Sequence, residues 1–277
     1  MDFPQVSYKN SNAPQLLSEA LHTIGFVVLS EHPIDPNLIT EVYAEWAEFF
    51  SSVDKNLYTF NPKVQAGYFP FQTETAKGYT KPDLKEFFHL YRSHNLPNQM
   101  SDRSWQLFQK LIDLAVELLA WIEAVSPESV RTNLTMPLPA MIKDSQENLL
   151  RILHYPPLTS EHTDGAIRAN PHEDINLITL LPAATAMGLQ VLDNFGVWHE
   201  VPSNLGDIVI NVGDMLQLAT GGYYRSTTHR VINGKSAHIS RYSMPMFLHA
   251  CPDVVLSGTK TARAYLQERL REIGLIT

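Results

Sequence analysis

Apolar positions in the first half of the chain recur at three- and four-residue spacing, which predicts amphipathic helices. Asn12-Ala13-Pro14 reads as a helix start with a capping side chain and proline in the first turn. Leu17, Ala20, Leu21 and Ile24 follow on one face, and Gly25 supplies the stop. Phe26 to Leu29 then reads as a buried strand. Asp35-Pro36 opens a second helix carrying Leu38, Ile39, Val42, Trp46, Phe49 and Phe50. A third and longer one begins near Ser101 and carries Trp105, Phe108, Leu111, Ile112, Ala115, Leu118, Leu119 and Ile122. Asn56 to Pro97, rich in Tyr, Phe, Gly, Lys and Thr, shows no clear period and is expected to be a long loop region. Loops of that length are uncommon in compact domains, so it is a candidate site wall or lid.

From Asn148 the pattern changes to short apolar runs separated by turn residues. Leu149 to Tyr155 ends at Pro156-Pro157, and Ile175 to Leu181 ends at Pro182. Leu189 to Leu192 and Val197 to Val201 flank the hairpin connection Asp193-Asn194-Phe195-Gly196; Asp207 to Val212, Thr227 to Ile232 and His238 to Leu248 continue the series. Strands at this spacing suggest two facing antiparallel sheets of the jelly-roll kind. Ala262, Leu266, Leu270 and Ile273 share a helical face, with Gly274 after it. The expected fold is mainly β with flanking helices around a double-stranded β-helix (jelly roll) core. It is read as one domain over 1–277: a helix-rich part (1–147), a jelly-roll core with the site (148–250) and a carboxy-terminal helix (251–277).

Composition narrows the class. The 277 residues are 44% hydrophobic and 18% charged, ordinary for a globular protein. No uncharged apolar stretch approaches the roughly 20 residues that span a bilayer, so no membrane segment is expected. The first residues lack a basic region followed by an apolar core, and Cys251 is the single cysteine. Together these point to a cytoplasmic protein without a secretory signal or a disulfide framework. A net charge of -8, from 21 basic and 29 acidic residues, argues against a nucleic-acid partner. Nothing in the pattern speaks to oligomeric state.

The candidate chemistry gathers around Pro171 to Leu181. His172 and Asp174, two apart on what reads as an extended segment, are expected to point the same way. An imidazole and a carboxylate are nitrogen and oxygen ligands of the kind that suits non-haem iron, provided a third arrives from elsewhere; His229 is the candidate. Three such ligands leave open positions for a chelating substrate and dioxygen. Arg241 and Ser243 share a strand face twelve residues on, a guanidinium fork beside a hydroxyl suited to one carboxylate, and Tyr155 can add a phenolic hydrogen bond. His162-Thr163-Asp164 also satisfies His-x-Asp, but runs into Gly165-Ala166 rather than a strand, so His172 and Asp174 are preferred. A satisfied core histidine is the ordinary reading of His172 or His229 alone; the constellation outweighs it. Arg92, Arg151 and Arg168 are possible partners for a substrate carboxylate, and the aromatic loop around Tyr68, Phe69, Phe71, Phe87, Phe88 and Tyr91 lines either a pocket or the core.

At these residues the chain resembles the isopenicillin N synthase-like branch of the iron(II)- and 2-oxoglutarate-dependent oxygenases. Tyr155-Pro156-Pro157, His172-Glu173-Asp174 with Ile178-Thr179-Leu180-Leu181, and Gly188-Leu189-Gln190-Val191 follow one another in the family's order. Trp198 with Val201-Pro202, Asn211-Val212-Gly213-Asp214, His229-Arg230-Val231 and Arg241-Tyr242-Ser243 complete it. Gly25-Phe26, Phe49-Phe50, Gly67-Tyr68 and Asp83-Leu84-Lys85-Glu86-Phe87 resemble the family's amino-terminal region, so the likeness covers nearly the whole chain. It implies that His172, Asp174 and His229 bind iron(II) and that 2-oxoglutarate is the cosubstrate. Arg241 and Ser243 would hold its far carboxylate, with Tyr155 assisting. The implied reaction couples decarboxylation of the keto acid, with dioxygen, to hydroxylation, desaturation or cyclisation of a small-molecule substrate.

Leu153-His154 departs from the Asn-Tyr that the family often has before Tyr-Pro. Isopenicillin N synthase and the plant aminocyclopropane carboxylate oxidase carry Arg-x-Ser without using 2-oxoglutarate. An iron oxidase independent of that cosubstrate, and a non-catalytic jelly-roll module binding a metal or metabolite, therefore stand as alternatives.

Overall fold

The computed structural model describes residues 3–62, 64–75, 79–158, 167–202, 204–233 and 237–272. The chain opens with strand β1 (Gln5–Ser7), helix α1 (Ala13–Thr23), β2 (Phe26–Ser30) and α2 (Pro36–Ser51). Proline in the first turn opens both helices, and the Asp35 carboxylate caps α2 by accepting from the Asn37 N–H. A 3-10 turn (Val53–Tyr58), β3 (Gly67–Phe69), β4 (Glu86–Tyr91), α3 (Arg103–Val125), α4 (Glu128–Arg131) and α5 (Leu138–Ile142) follow. Asn56 to Pro97 is thus not the loop region expected from the sequence. β4 is buried along nearly its whole length, so it lacks the polar alternation that would have announced a strand.

The second half contributes β5 (Leu149–Tyr155), β6 (Ala169–His172), β7 (Ile178–Pro182), β8 (Leu189–Leu192), β9 (Trp198–Glu200) and β10 (Ile208–Val212). After these come α6 (Asp214–Ala219), β11 (His229–Val231), β12 (Arg241–Ser243), β13 (Met246–Leu248), β14 (Val255–Ser257), β15 (Lys260–Thr261) and α7 (Ala262–Glu272). Ile273 and Gly274, expected at the end of α7, lie outside the described residues. The segment expected as one strand from His238 to Leu248 is two. β12 and β13 keep the same register against β5, and the break falls at Pro245, which has no N–H for the ladder.

Nine strands form a large sheet in the order β1-β2-β10-β7-β13-β5-β4-β3, with β12 also on β5. Four form a smaller one, β6-β11-β8-β9. This mixed fold with a double-stranded β-helix core is the expected jelly roll, extended at both edges of the large sheet by strands from the first half. The large sheet is covered on both faces. Leu150, Ile152, Ile178, Leu180, Met246 and Leu248 join the helical side, with Leu17, Trp46, Leu111 and Leu118. Leu153, Tyr155, Phe87, Val209, Phe26 and Val231 fill the space between the sheets. Complete burial of a side chain such as Leu118 is worth roughly 1.5–3 kcal/mol, so the helical layer anchors the sheet whose opposite face carries the site.

Candidate metal centre and its cavity

The crossing from the small sheet to the large one builds the centre. β6 ends at His172, Asp174 lies past the strand, and the chain enters the large sheet only at Ile178. The single extended segment expected to carry both residues is therefore a strand end plus a turn. His229 is the direct cross-strand partner of His172 in the β6–β11 ladder. Their rings lie 4.4 Å apart between centroids. Asp174 Oδ1 sits 3.7 Å from His229 Nε2 and 4.0 Å from His172 Nε2. One ligand atom from each of the three falls within 4.8 Å of the others.

Hydrogen bonds behind these atoms decide which lone pairs remain. His172 Nδ1 lies 2.7 Å from the Asn170 carbonyl and His229 Nδ1 3.1 Å from that of Thr227. A carbonyl only accepts, so both Nδ1 atoms carry a proton, which in the neutral ring puts the lone pair on Nε2. Asp174 Oδ2 accepts from Thr179 Oγ1 at 2.6 Å and from Asn211 Nδ2 at 2.8 Å, which leaves Oδ1 facing the imidazoles. Asn176 in turn donates to Thr179 Oγ1. Gly213 makes this turn possible, because a Cβ there would stand 2.2 Å from the Asn176 carbonyl oxygen.

Charge follows the same design. Desolvation in the cleft, then the neighbouring His229, lower the His172 pKa to about 4, so the ring is neutral near pH 7. Its side chain is 40% exposed, and that exposure is to the cleft it lines. Burial pushes the Asp174 carboxyl up, but the two imidazoles and the bonds from Thr179 and Asn211 outweigh it and hold the group below its usual value. The Nε2 atoms of His172 and His229 and the free Oδ1 of Asp174 converge as two nitrogen donors and one oxygen donor, a set that fits a divalent iron ion.

The same cleft, with about 560 Å³ of empty space open to solvent, is lined by Tyr155, Arg241 and Ser243. Arg241 pairs with Tyr155 across β12 and β5, and Ser243 with Leu153. Arg241 is 2% exposed, with its guanidinium carbon 5.1 Å from the centre of the Tyr155 ring. Its Nε donates to the Ala186 carbonyl, while buried Nη1 has no hydrogen-bond partner among the described residues. No carboxylate among those residues pairs with it, and burial lowers its pKa. An uncompensated buried cation is costly, so the pocket is shaped for an anion from outside the chain.

The structure thus brings together all six residues singled out from the sequence. His162 and Asp164 lie outside the described residues. Arg92 stacks on Trp105, and Arg168 donates to the Ile239 carbonyl, whereas Arg151 lines the cleft. The orienting roles of Thr179 and Asn211 were not read from sequence, although Thr179 is a lone hydroxyl in the apolar run Ile178 to Leu181. The place of Lys85 and Phe247 in the lining was also missed.

Comparison with known proteins agrees with this geometry. Residues 146–250 match the 2OG-Fe(II) oxygenase superfamily, and residues 2–110 match the family described as non-haem dioxygenase in morphine synthesis N-terminal. The 2-oxoglutarate-Fe(II) type oxidoreductase hxnY of Emericella nidulans is 30% identical over 273 residues, covering 87% of this chain and 75% of that protein. A crystal structure of an oxygenase candidate from Shewanella oneidensis is 46% identical, with a TM-score of 0.91 and full coverage of both chains. A full-length Neurospora crassa protein solved in complex with alpha-KG has a TM-score of 0.80 at 22% identity, over 97% of this chain and 95% of that one, and shows the shared fold. The chain belongs to the 2OG-Fe(II) oxygenase superfamily. It is a non-haem iron(II) dioxygenase that uses 2-oxoglutarate as cosubstrate and acts on a small molecule.

Proposed function

We propose that His172, Asp174 and His229 hold the iron(II), that Arg241 and Ser243 receive the far carboxylate of 2-oxoglutarate, and that Tyr155 assists them. The observation that carries this reading is unspent capacity. Among the described residues, Asp174 Oδ1 and two imidazole Nε2 atoms converge with no partner but one another, and Arg241 Nη1 is buried without an acceptor. Bound iron(II) supplies the site for dioxygen activation and the keto-acid chelate. The chain's own part is positional. Asn170, Thr227, Thr179 and Asn211 fix the ligand orientations, and Arg241 anchors the cosubstrate at one end. Leu153 presents an apolar face in the cleft.

Further features support a cytoplasmic enzyme of one working unit with no nucleic-acid or membrane partner. Strands from the first 147 residues complete the large sheet. The acidic balance disfavours polyanions, the lone Cys251 is free, and no helix among the described residues is long and apolar enough to cross a membrane.

The test is anaerobic addition of iron(II) and 2-oxoglutarate, read as the visible charge-transfer band of the chelate. The wild-type chain is expected to show the band; His172→Ala and Asp174→Ala are expected to lose it. Arg241→Ala is expected to require far more 2-oxoglutarate to reach it. A band that persists unchanged in the ligand variants would falsify the metal assignment.

A further inference from the structure

The cleft holds a second cationic end. Arg151 lies on β5 four residues before Tyr155, on the same strand face, so the two positions are about 13 Å apart along the strand. One end, at Tyr155 and Arg241, is spoken for by the cosubstrate in the reading above. Arg151 and Lys85 line the other, together with Pro245 and Phe247.

Arg151 is held in an unusual way for a cation. Its Nε donates to His89 Nε2 at 2.8 Å; His89 Nδ1 carries the proton, since it lies 2.8 Å from the Gln65 carbonyl. The imidazole is therefore a neutral acceptor, and burial, then the Arg151 charge, hold its pKa well below the ordinary value. Phe87 and Phe247 flank the guanidinium, with ring centres 4.8 and 5.5 Å from its central carbon, which fixes its plane. Its carboxylate contact is stretched: Nη1 and Nη2 each reach Glu74 only at 3.5 Å. Glu74 is committed to Lys85 at 2.6 Å, and Asp83 to Lys85 at 2.7 Å and to the Asn170 side chain at 2.7 Å.

These four charges cancel in number but not in placement. Both cations line the cleft, whereas Glu74 and Asp83 do not. A guanidinium has five N–H donors, so after Nε and one donor on each terminal nitrogen are assigned, two remain. The cleft therefore meets a positive face with spare donors, beside apolar surface from Leu153, Pro245 and Phe247.

We propose that Arg151, backed by Lys85, receives an acidic group of the substrate, so that the chain oxidises a small organic carboxylate whose apolar body packs against Phe247 and Pro245. This rests on the assignment of Arg241 to the cosubstrate. A planar carboxylate matches the fixed guanidinium plane, and capture there turns the other end of the molecule toward His172 and Asp174.

The test uses the full chain loaded anaerobically with iron(II) and saturating 2-oxoglutarate. It is titrated calorimetrically with benzoate, phenylacetate and cyclohexanecarboxylate, and with the primary amide of each. The acids are expected to bind at least about tenfold more tightly than their amides. Arg151→Gln should bring each pair within about threefold while 2-oxoglutarate still binds. Arg151→Lys, which keeps the charge and loses the fork, should retain an intermediate preference and serves also if the glutamine variant does not fold. The proposal is overturned by equal affinity for acids and amides, by an acid preference that survives Arg151→Gln, or by no acid binding at millimolar concentration. It is overturned as well if Arg151→Gln alone loses 2-oxoglutarate. Wild-type protein that fails to bind 2-oxoglutarate would instead sink the assignment of Arg241.

Discussion

Two buried carboxylates in this molecule are each surrounded by histidine and hydroxyl partners, yet they are opposite kinds of site. Glu86 accepts from His154 Nδ1 at 2.7 Å, from Lys55 Nζ at 2.9 Å and from the Tyr68 hydroxyl, while His154 Nε2 meets Ser240 Oγ at 3.0 Å. Every strong acceptor direction is used. Asp174 has one oxygen saturated by Thr179 and Asn211 and the other facing the Nε2 atoms of two imidazoles. The two share β5 as a boundary: His154 alternates with Leu153 and Tyr155, which face the space between the sheets. Residue type does not separate structural from chemical networks here. What separates them is whether donor and acceptor capacity closes within the chain.

The sharpest way to break the comparison is to remove each carboxylate and ask what is lost. Asp174→Ala should cut 2-oxoglutarate-dependent succinate formation by at least about 10³-fold, because the ion loses the one carboxylate the proposed ligand set supplies. Circular dichroism should still report the folded chain. Glu86→Ala should do the reverse, costing about 3–5 kcal/mol of stability by urea unfolding, since it strands the Lys55 ammonium and the His154 ring. Iron binding per folded molecule should survive. A Glu86→Ala protein of unaltered stability that no longer binds iron would erase the distinction.

These two networks were unequally legible in the sequence. The centre could be read because its ligands sit in an ordered run of short motifs. The saturated network could not. Glu86 and His154 come from β4 and β5, and β4 is so thoroughly buried that periodicity hid it inside an expected loop. The helices α1 to α3 were legible from one-sided apolar spacing, since each packs on a single side. The strand through His172 and Asp174 was only half legible, because an apolar run does not reveal where a chain leaves one sheet for another.

A milder change tests whether orientation alone matters at the open site. Thr179→Val removes the hydroxyl that occupies Asp174 Oδ2 with little change in volume, and also deprives Asn176 Nδ2 of its acceptor. Iron(II) affinity should weaken by about 10–100-fold, in line with loss of a partner behind a metal ligand. Anaerobic titration with a competing chelator measures it. Wild-type affinity in this variant would mean that Asn211 by itself fixes the carboxylate.

The smallest effect concerns the closed network and its pH dependence. Burial pushes the Glu86 carboxyl up, but the bonds from His154, Tyr68 and Lys55 outweigh it, so its folded pKa lies below the usual value. A depressed carboxylate contributes stability that is fully present above its unfolded pKa of about 4.3 and is lost as pH falls through the folded value. Tyr68 is buried, and its hydroxyl is one of the three donors that maintain the depression. Tyr68→Phe should therefore destabilise the chain by about 1 kcal/mol near pH 7. The gap to wild type should close on acidification, because protonated Glu86 no longer rewards the donor. Urea unfolding at neutral pH and below the carboxylate range measures both ends. A gap of equal size at the two pH values would show that Tyr68 acts through packing against Phe49 and Phe50 rather than through Glu86.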